Sequence, residues 1–339
     1  MRIGLWSFAH MHAFSYLSVF GSRDDIEWVG ITDEDPDRGA RVGRERNVPF
    51  VENPDDLLDQ IDAVVINSAN VDHCAMALRA AEAGVPALVE KPIATTVADA
   101  KAMVEAFDRA GLTLGISFPC PFFPAFVALQ RTVQAGDLGK VLAVKATNHG
   151  TMPGGFFIQL ERSGGGAVID HTVHVADLLR RLTGAEALEV YAEIGHGLYH
   201  QEWDDSGFLT INMSDGSFAT LDSSWSRPKS FPTWGDVTLK VVGERGNADA
   251  DLTSQHLEFY PADGSKPTWQ GWGTDTNWLM ADDFIRALRE SRPPRSTGLD
   301  GLKALEMALA AYRSAETGML THCSYMILAQ AARLHEINK

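Results

Sequence analysis

The sequence predicts an α/β protein in two parts. A doubly wound parallel sheet is expected over residues 1–118. An α+β domain with a large, mostly antiparallel sheet is expected over residues 119–339. Three observations carry this. Strand-like and helix-like segments alternate through the first third of the chain. The strand segments there are short, nearly continuous apolar runs, the mark of strands covered on both faces. After Phe118 the pattern changes to successive strand segments bracketed by long periodic helices.

Ile3 to Trp6 is the first apolar run, followed by spaced apolar residues from Met11 to Phe20. Ile26 to Ile31 is strand-like and ends at Thr32-Asp33. Asp35-Pro36 opens a helix to about Arg46, since proline suits a first helical turn. Asp62 to Ile66 is a buried strand, Val71 to Ala83 an alanine-rich helix stopped by Gly84, and Ala87 to Val89 another short strand. Val97 to Ala110 is a helix ended by Gly111, and Leu112 to Ile116 a further strand. Beyond it, Ala125 to Ala135 reads as helix, Lys140 to Asn148 as strand and Gly166 to Leu182 as helix. Ala187 to Tyr260 reads as successive strands with turns at Ser214-Asp215-Gly216 and Gly243-Glu244-Arg245-Gly246. Helices return at Asn277 to Glu290 and Leu299 to Glu316. A parallel doubly wound sheet binds its ligand at the carboxyl ends of its strands.

Composition narrows the function classes. Of 339 residues, 29 are Lys or Arg and 45 Asp or Glu, a net charge of −16, which argues against a nucleic-acid binder built on a broad basic surface. With 45% hydrophobic and 22% charged residues the chain is globular. Cys74, Cys120 and Cys323 are far apart with no C-x-x-C pair, which fits a reducing compartment. Ala110 to Gln130 is uncharged and long, but Pro119, Pro121 and Pro124 break it as a membrane span. No apolar signal region follows Met1, so the expectation is a cytoplasmic protein with no membrane partner.

Between the first strand and first helix, a dinucleotide site of the Rossmann type uses G-x-G-x-x-G, so that backbone can approach a pyrophosphate at the helix start. Here that stretch is Ser7-Phe8-Ala9-His10-Met11-His12, with every glycine position substituted. The stretch alone is equally compatible with a plain structural turn. Asp33, at the end of the second strand, stands where the fold places the carboxylate that bonds the adenosine ribose. A carboxylate there repels a 2′-phosphate, so NAD is expected over NADP. The competing reading of Asp33 is a solvated turn residue. Ser7, Phe8, Ala9, His10, His12 and Asp33 are therefore the cofactor-binding candidates of this segment. His10 and His12 form an H-x-H pair, but no third ligand lies at motif spacing. Contacts on the pyrophosphate side or loop packing are expected of them, and no metal.

Asn67-Ser68-Ala69-Asn70-Val71-Asp72-His73 and Glu90-Lys91-Pro92-Ile93-Ala94 each follow a buried strand. A lysine at the carboxyl end of a central strand requires a partner or a ligand. An ion pair with Glu90 is the structural alternative for Lys91. The stretch from His73 through Glu90-Lys91-Pro92 resembles the H…A…A-G-x-x-V-x-x-E-K-P block of the glucose-fructose oxidoreductase / inositol dehydrogenase family. The resemblance implies nicotinamide-dependent redox chemistry, with Lys91 beside the nicotinamide and substrate and Glu90 near the nicotinamide ribose. Ser68, Asn70 and His73 join the cofactor-binding candidates.

Gly164-Gly165-Gly166-Ala167-Val168-Ile169-Asp170-His171-Thr172-Val173-His174-Val175-Ala176-Asp177 is similar to that family's G-G-x-x-x-D-x-x-x-H-x-x-D signature. The spacing itself puts Asp170, His174 and Asp177 on one helix face. A carboxylate one turn from an imidazole can fix its tautomer and raise its basicity. Such an imidazole is a suitable general base for a hydroxyl proton. A capped helix with a buried, hydrogen-bonded histidine is the alternative. Lys91, His174 and Asp170 are the expected catalytic residues, and these with His171 the expected substrate contacts. His171 points about 100° away from Asp170 on an ideal helix, which makes it the secondary candidate.

Asp204-Asp205-Ser206-Gly207, Trp225-Ser226-Arg227-Pro228 and Gly298-Leu299-Asp300-Gly301 extend the resemblance over most of the chain. Ser117-Phe118-Pro119-Cys120-Pro121 departs from it, because many relatives carry an Asn or Arg pair there. Trp203, Trp225, Trp234, Trp269, Trp272 and Trp278 could stack on a sugar, but packing is the preferred reading. Thr317 to Ala332, uncharged but too short to cross a bilayer, is expected to dock on the body or on a partner subunit. The resemblance implies a homodimer or homotetramer formed through the open sheet face. The leading expectation is an NAD-dependent dehydrogenase of a sugar, cyclitol or related polyol. A non-catalytic NAD-binding sensor and an NAD-using glycoside hydrolase remain as rivals.

Overall fold

A computed structural model describes residues 1–271, 273 and 275–323. In chain order the first elements are β1 (Arg2–Trp6), α1 (His12–Gly21), β2 (Glu27–Thr32), α2 (Pro36–Arg46), α3 (Pro54–Leu58), β3 (Ala63–Ile66), α4 (His73–Glu82), β4 (Ala87–Val89), α5 (Val97–Ala110) and β5 (Leu114–Ile116). There follow α6 (Pro124–Gln134), β6 (Val141–Gly150), the one-turn α7 (Leu160–Ser163), α8 (Ala167–Thr183), β7 (Ala187–Gly195), β8 (Ser206–Met213), β9 (Phe218–Ser224) and β10 (Gly235–Gly243). The last are β11 (Gly246–Asp251), β12 (His256–Phe259), β13 (Thr268–Gly271), α9 (Thr276–Glu290), α10 (Gly298–Thr317) and β14 (Thr321–His322).

Two compact units emerge. The first joins Met1–Phe122 to the later segments Gly155–Gly164 and Thr274–Leu302. Its sheet has the order β2-β1-β3-β4-β5, all parallel. Every residue of β3, β4 and β5 is buried, as continuous apolar runs require when helices cover both faces. The segment 274–302 belongs here because α9 contributes Met280, Ala281, Phe284 and Ile285 to the core that holds Ile3, Leu5, Tyr16 and Phe20. A β-carbon at Gly115 in β5 would lie 3.0 Å from the Phe284 ring, so the strand is bare where that ring meets it.

Local chemistry explains the departures from the sequence reading. Helix α3 was not anticipated, although Asn53 accepts the Asp55 amide and Pro54 opens the turn. The expected strand over 112–116 begins only at Leu114, because the Leu112 amide bonds back to the Phe107 carbonyl at the end of α5. The helix expected over 71–83 is a single tight turn at Asn70–Asp72 followed by α4.

The second unit comprises Phe123–Gly154, Gly165–Gly273 and the chain from Lys303. Its seven-stranded sheet runs β11-β10-β6-β9-β8-β7-β14 and is antiparallel except for the β6–β9 pair. Burial alternates residue by residue along β6 from Val144 onward, along β8 and along β9 as far as Ser223, so one face is covered and the other open. Helix α8 packs on the covered face against β6, β8 and β9 and is buried over most of its length. No helix among the described residues is long and apolar enough to cross a membrane. Of the segment 317–332, residues 324–332 lie outside the described residues, as does Trp272. None of the three cysteines is bridged.

On the open face, His149 of β6 lies between two carboxylates. Its Nε2 is 2.9 Å from Asp222 Oδ2 and its Nδ1 3.2 Å from Asp236 Oδ1. Bonds to both carboxylates outweigh partial burial and raise its pKa to about 9. The folded value exceeds the unfolded one, near 6.5. The stabilisation from His149 is therefore complete below about pH 6.5 and disappears as pH rises through about 9. Urea titrations across this interval should show wild-type stability declining with pH, and His149→Gln should flatten that decline.

Candidate functional site

The dinucleotide turn is built by side chains where glycines are usual. Ser7 has φ +76°, the left-handed conformation that a first glycine would supply, so the sequence alignment of this position holds geometrically. Its hydroxyl donates to Glu34 Oε1 (3.0 Å) and accepts the Ala9 amide (3.1 Å). The Phe8 amide donates to Asp33 Oδ2 (2.9 Å), and the His10 amide to the Asn67 carbonyl at the end of β3 (3.0 Å). Asp33 is buried and also takes the Asp35 amide (2.8 Å) and the Arg38 guanidinium (2.6 Å). The carboxylate expected to meet a ribose thus first holds its own turn together. Arg38, which no sequence argument singled out, neutralises it.

At the end of β4, Glu90 is fully buried. Its Oε2 accepts the Tyr16 hydroxyl (2.8 Å) and faces His12 Nδ1 (3.4 Å). Its Oε1 accepts the Lys91 amide (3.1 Å) and faces His10 Nε2 (4.0 Å). Burial alone would raise the Glu90 carboxyl. The His10 and His12 imidazoles and the Lys91 ammonium overcome this and hold it well below the usual carboxylate range. Burial, reinforced by Glu90, pushes the Tyr16 hydroxyl well above its ordinary value.

His10, His12 and Glu90 bring three ligand-type atoms within 4.8 Å of one another, and Glu90 is the third group that the sequence reading of the H-x-H pair lacked. A metal is nevertheless a poor match. The His12 amide donates to His10 Nδ1 (3.1 Å), so the proton of a neutral His10 ring sits on Nε2, the nitrogen aimed at Glu90. A ligating nitrogen must be bare. The group is a hydrogen-bonded charge cluster under the first turn of α1.

The strand ends suit a polar cofactor. Asn67 follows β3 fully buried, with both carboxamide atoms lacking a partner. The same holds for Asn70 Oδ1 and for His73 Nε2. Buried polar atoms without partners are rare and call for a ligand or water. Elsewhere on these residues the chain supplies bonds: Asn70 Nδ2 donates to the Ser163 carbonyl (2.8 Å), His73 Nδ1 to the Pro92 carbonyl (2.9 Å), and Ser68 Oγ to the Ala69 carbonyl (3.1 Å). Burial lowers the His73 pKa, so a neutral ring is favoured. The first amides of helix α1 are held by His10, the His12 amide by its Nδ1 and the Ala13 amide by its carbonyl (each 3.1 Å). These residues fit a dinucleotide. Asn67 stood in the sequence motif without being chosen, and Tyr16 gave no signal beyond its helical period.

In the second unit, the start of α8 is clamped. Asp204 accepts the Gly166 amide (2.8 Å) and the Val168 amide (2.7 Å), and the Tyr312 hydroxyl donates to Asp204 Oδ1 (2.8 Å). That hydroxyl in turn accepts the amides of Gly166 and Ile169, each at 3.2 Å. A β-carbon on Gly166 would lie 2.0 Å from the Asp204 carbonyl oxygen, and one on Gly165 2.3 Å from the Tyr312 hydroxyl. The close approach that the glycines permit is therefore to the chain's own Asp204 and Tyr312. Burial raises the Asp204 pKa against these bonds.

Along α8, Asp170, His171 and His174 are buried. Asp177 pairs with Arg181 (2.8 Å). Asp170 Oδ2 accepts the Trp225 indole N–H (3.0 Å) and lies 3.3 Å from His171 Nε2. The sequence reading turned His171 away from Asp170. Its side chain instead bends back along the helix, because Nδ1 donates to the Asn148 carbonyl of β6 (2.9 Å). Trp225, Asn148, Asp204 and Tyr312 are the positioning groups that spacing could not reveal.

Comparison with known proteins identifies the family of both parts of the chain. Residues 3–118 match the family model described as an oxidoreductase family with an NAD-binding Rossmann fold, and residues 126–249 the GFO/IDH/MocA C-terminal domain. The chain is 28% identical to the scyllo-inositol 2-dehydrogenase (NAD(+)) of Bacillus subtilis, over 94% of each chain. It is 30% identical to a myo-inositol dehydrogenase of Streptomyces leeuwenhoekii, over 76% of this chain and 79% of that one. Among solved structures, GenD2 from gentamicin A biosynthesis in complex with NAD has the same fold, with a TM-score of 0.86 at 22% identity over 95% of this chain and 96% of that one.

Two variants isolate the strain at the cofactor turn. Ser7→Gly and Ser7→Ala lose the same hydroxyl bonds, but only alanine keeps a β-carbon at φ +76°. Thermal or urea unfolding should find the glycine variant more stable by about 1 kcal/mol. Equal stabilities would show that the turn carries no strain.

Proposed function

The chain belongs to the GFO/IDH/MocA family of NAD-binding oxidoreductases, and from that premise we propose an NAD-dependent dehydrogenase that acts on a secondary hydroxyl of a sugar, cyclitol or related polyol. The inositol dehydrogenases among its relatives support the substrate class. The observation that carries the catalytic assignment is Lys91, an ammonium-bearing side chain only 2% exposed at the carboxyl end of the parallel sheet, next to ionised Glu90. Burial of this kind fits a residue that meets a ligand oxygen.

Ser7, Phe8, Ala9, His10 and His12 at the turn, Asp33, and Ser68, Asn70, His73 and Glu90 at the strand ends are the residues assigned to the cofactor. When bound, NAD supplies the hydride acceptor. Lys91 orients the reacting hydroxyl and stabilises negative charge on its oxygen. His174 takes the hydroxyl proton as general base, and returns it in the reverse direction. Asp170 accepts a hydrogen bond from a neighbouring hydroxyl or holds His174. His171 is the secondary substrate candidate, and its Nδ1 is bonded to the Asn148 carbonyl (2.9 Å).

The open face of the second unit's sheet carries Tyr191, Phe208, Phe218 and Val242 as exposed apolar side chains. They support assembly into a homodimer or homotetramer through that face. The unbridged cysteines support a cytoplasmic location.

Purified protein given NAD and a panel of polyols should generate the absorbance of reduced nicotinamide with at least one of them. Lys91→Ala and His174→Ala should each lower kcat by about 10²–10⁴-fold without preventing NAD from raising the melting temperature. Full activity in His174→Ala would remove that residue from the mechanism. NAD binding with no reduction by any polyol would favour a sensor.

A further inference from the structure

Two neighbouring carboxylates stand at the end of β2, and their oxygens are in different states. Asp33 accepts the Phe8 amide (2.9 Å), the Asp35 amide (2.8 Å), and both Nε (2.9 Å) and Nη2 (2.6 Å) of Arg38. An ionised carboxylate offers about four lone-pair sites, so these donors fill it. The Asp33 side chain is also 0% exposed. It holds the position from which a Rossmann sheet presents a carboxylate to the adenosine ribose, yet it has neither a vacant lone pair nor access to a ligand. Glu34 differs on both counts. Its Oε1 accepts the Ser7 hydroxyl (3.0 Å) and Arg38 Nη2 (2.7 Å), and its side chain is 29% exposed. Among the described residues no donor reaches its Oε2. We propose that Glu34, in place of Asp33, accepts the 2′-hydroxyl of the adenosine ribose and thereby sets the choice of NAD over NADP.

The substituted first glycine explains how Glu34 is aimed. β1 and β2 are neighbours in the parallel sheet, and ligands bind in the crevice outside the carboxyl ends of such strands. Ser7 leaves β1 in the left-handed conformation, and its hydroxyl ties the Glu34 carboxylate across from the end of β2. A glycine at that position would have no hydroxyl with which to do so. Arg38 holds the same oxygen from the α2 side, so Oε1 is fixed by donors from two elements. Charge then supplies the discrimination. Two carboxylates share the one Arg38 guanidinium, and the Asp35 carboxylate is used on the Arg38 amide (3.1 Å). The cluster keeps an excess of negative charge, which suits a hydroxyl donor and repels a phosphate. In dinucleotide folds an arginine near this point accommodates the 2′-phosphate, and here Asp33 and Glu34 keep that arginine engaged. Asp33 serves the cofactor through the turn it holds, and Glu34 by direct contact. The inference rests on the proposed use of NAD and deepens it.

Binding titrations on the full chain test this without turnover, using NAD, its analogue with 2′-deoxyadenosine, and NADP. Wild type should prefer NAD to the deoxy analogue by about tenfold or more, the worth of one hydrogen bond to a charged group. Glu34→Ala should abolish that preference and bind NADP about tenfold more tightly than wild type does, because Arg38 Nη2 is released toward the phosphate. Glu34→Gln keeps an acceptor oxygen without the charge. It should retain part of the preference for the 2′-hydroxyl and still gain affinity for NADP. Asp33→Asn should lower the melting temperature and weaken NAD and the deoxy analogue by the same factor, since it acts through the turn. The proposal is overturned if Glu34→Ala leaves the preference for the 2′-hydroxyl intact, or if Asp33→Asn abolishes it. Either result leaves the dehydrogenase reading standing. Binding as expected with no turnover of any polyol counts against that reading alone, and a wild type that binds no NAD overturns both.

Discussion

Three buried carboxylates hold the turns and helix starts that frame the candidate site. Asp33, Glu90 and Asp204 each stand beside the start or end of a secondary element, and each is held by backbone amides together with one or more side-chain donors. An ionised carboxylate out of water is tolerated only when its oxygens are filled. The groups that fill them are thereby pinned. Asp33 fixes the turn after β1, Glu90 fixes Tyr16 with His10 and His12 facing it, and Asp204 fixes the first amides of α8.

This constraint explains how a cofactor turn survives without its glycines. In the usual motif, glycine supplies a left-handed residue and room for the pyrophosphate. Here Ser7 adopts the left-handed conformation and ties its own hydroxyl to Glu34 and Ala9. His12 occupies the last glycine position, and its ring is turned toward Glu90. Side-chain bonds hold the turn that glycine would have allowed by default. The same reasoning, inverted, applies to α8. There the glycines are retained, because Asp204 and Tyr312 approach so closely that no β-carbon fits.

The two units differ in what their histidines do. His10 and His12 face an ionised glutamate, His149 bridges two aspartates, and His171 spans a carbonyl and a carboxylate. In each case the role of the ring follows from which nitrogen meets an acceptor. Helical or strand spacing alone does not contain that information.

Much of the architecture was legible in the sequence. Short apolar runs identified β1, β3, β4 and β5 as strands, β3 as one covered on both faces, and the change of period after Phe118 marked the second sheet. The E-K-P and D-x-x-x-H stretches pointed to Lys91, Asp170 and His174, because a buried charge and a carboxylate one turn from an imidazole are patterns of local spacing. Partners from distant parts of the chain were not legible: Tyr312 against Gly166, Asn148 against His171, Tyr16 against Glu90, and the return of α9 to the first core. Those pairings are set by how strands register and helices pack, and no local period encodes them. Local periodicity therefore determined most of the elements, and local spacing together with the family resemblance pointed to the candidate side chains, while tertiary packing decided which atoms of those side chains face which partners.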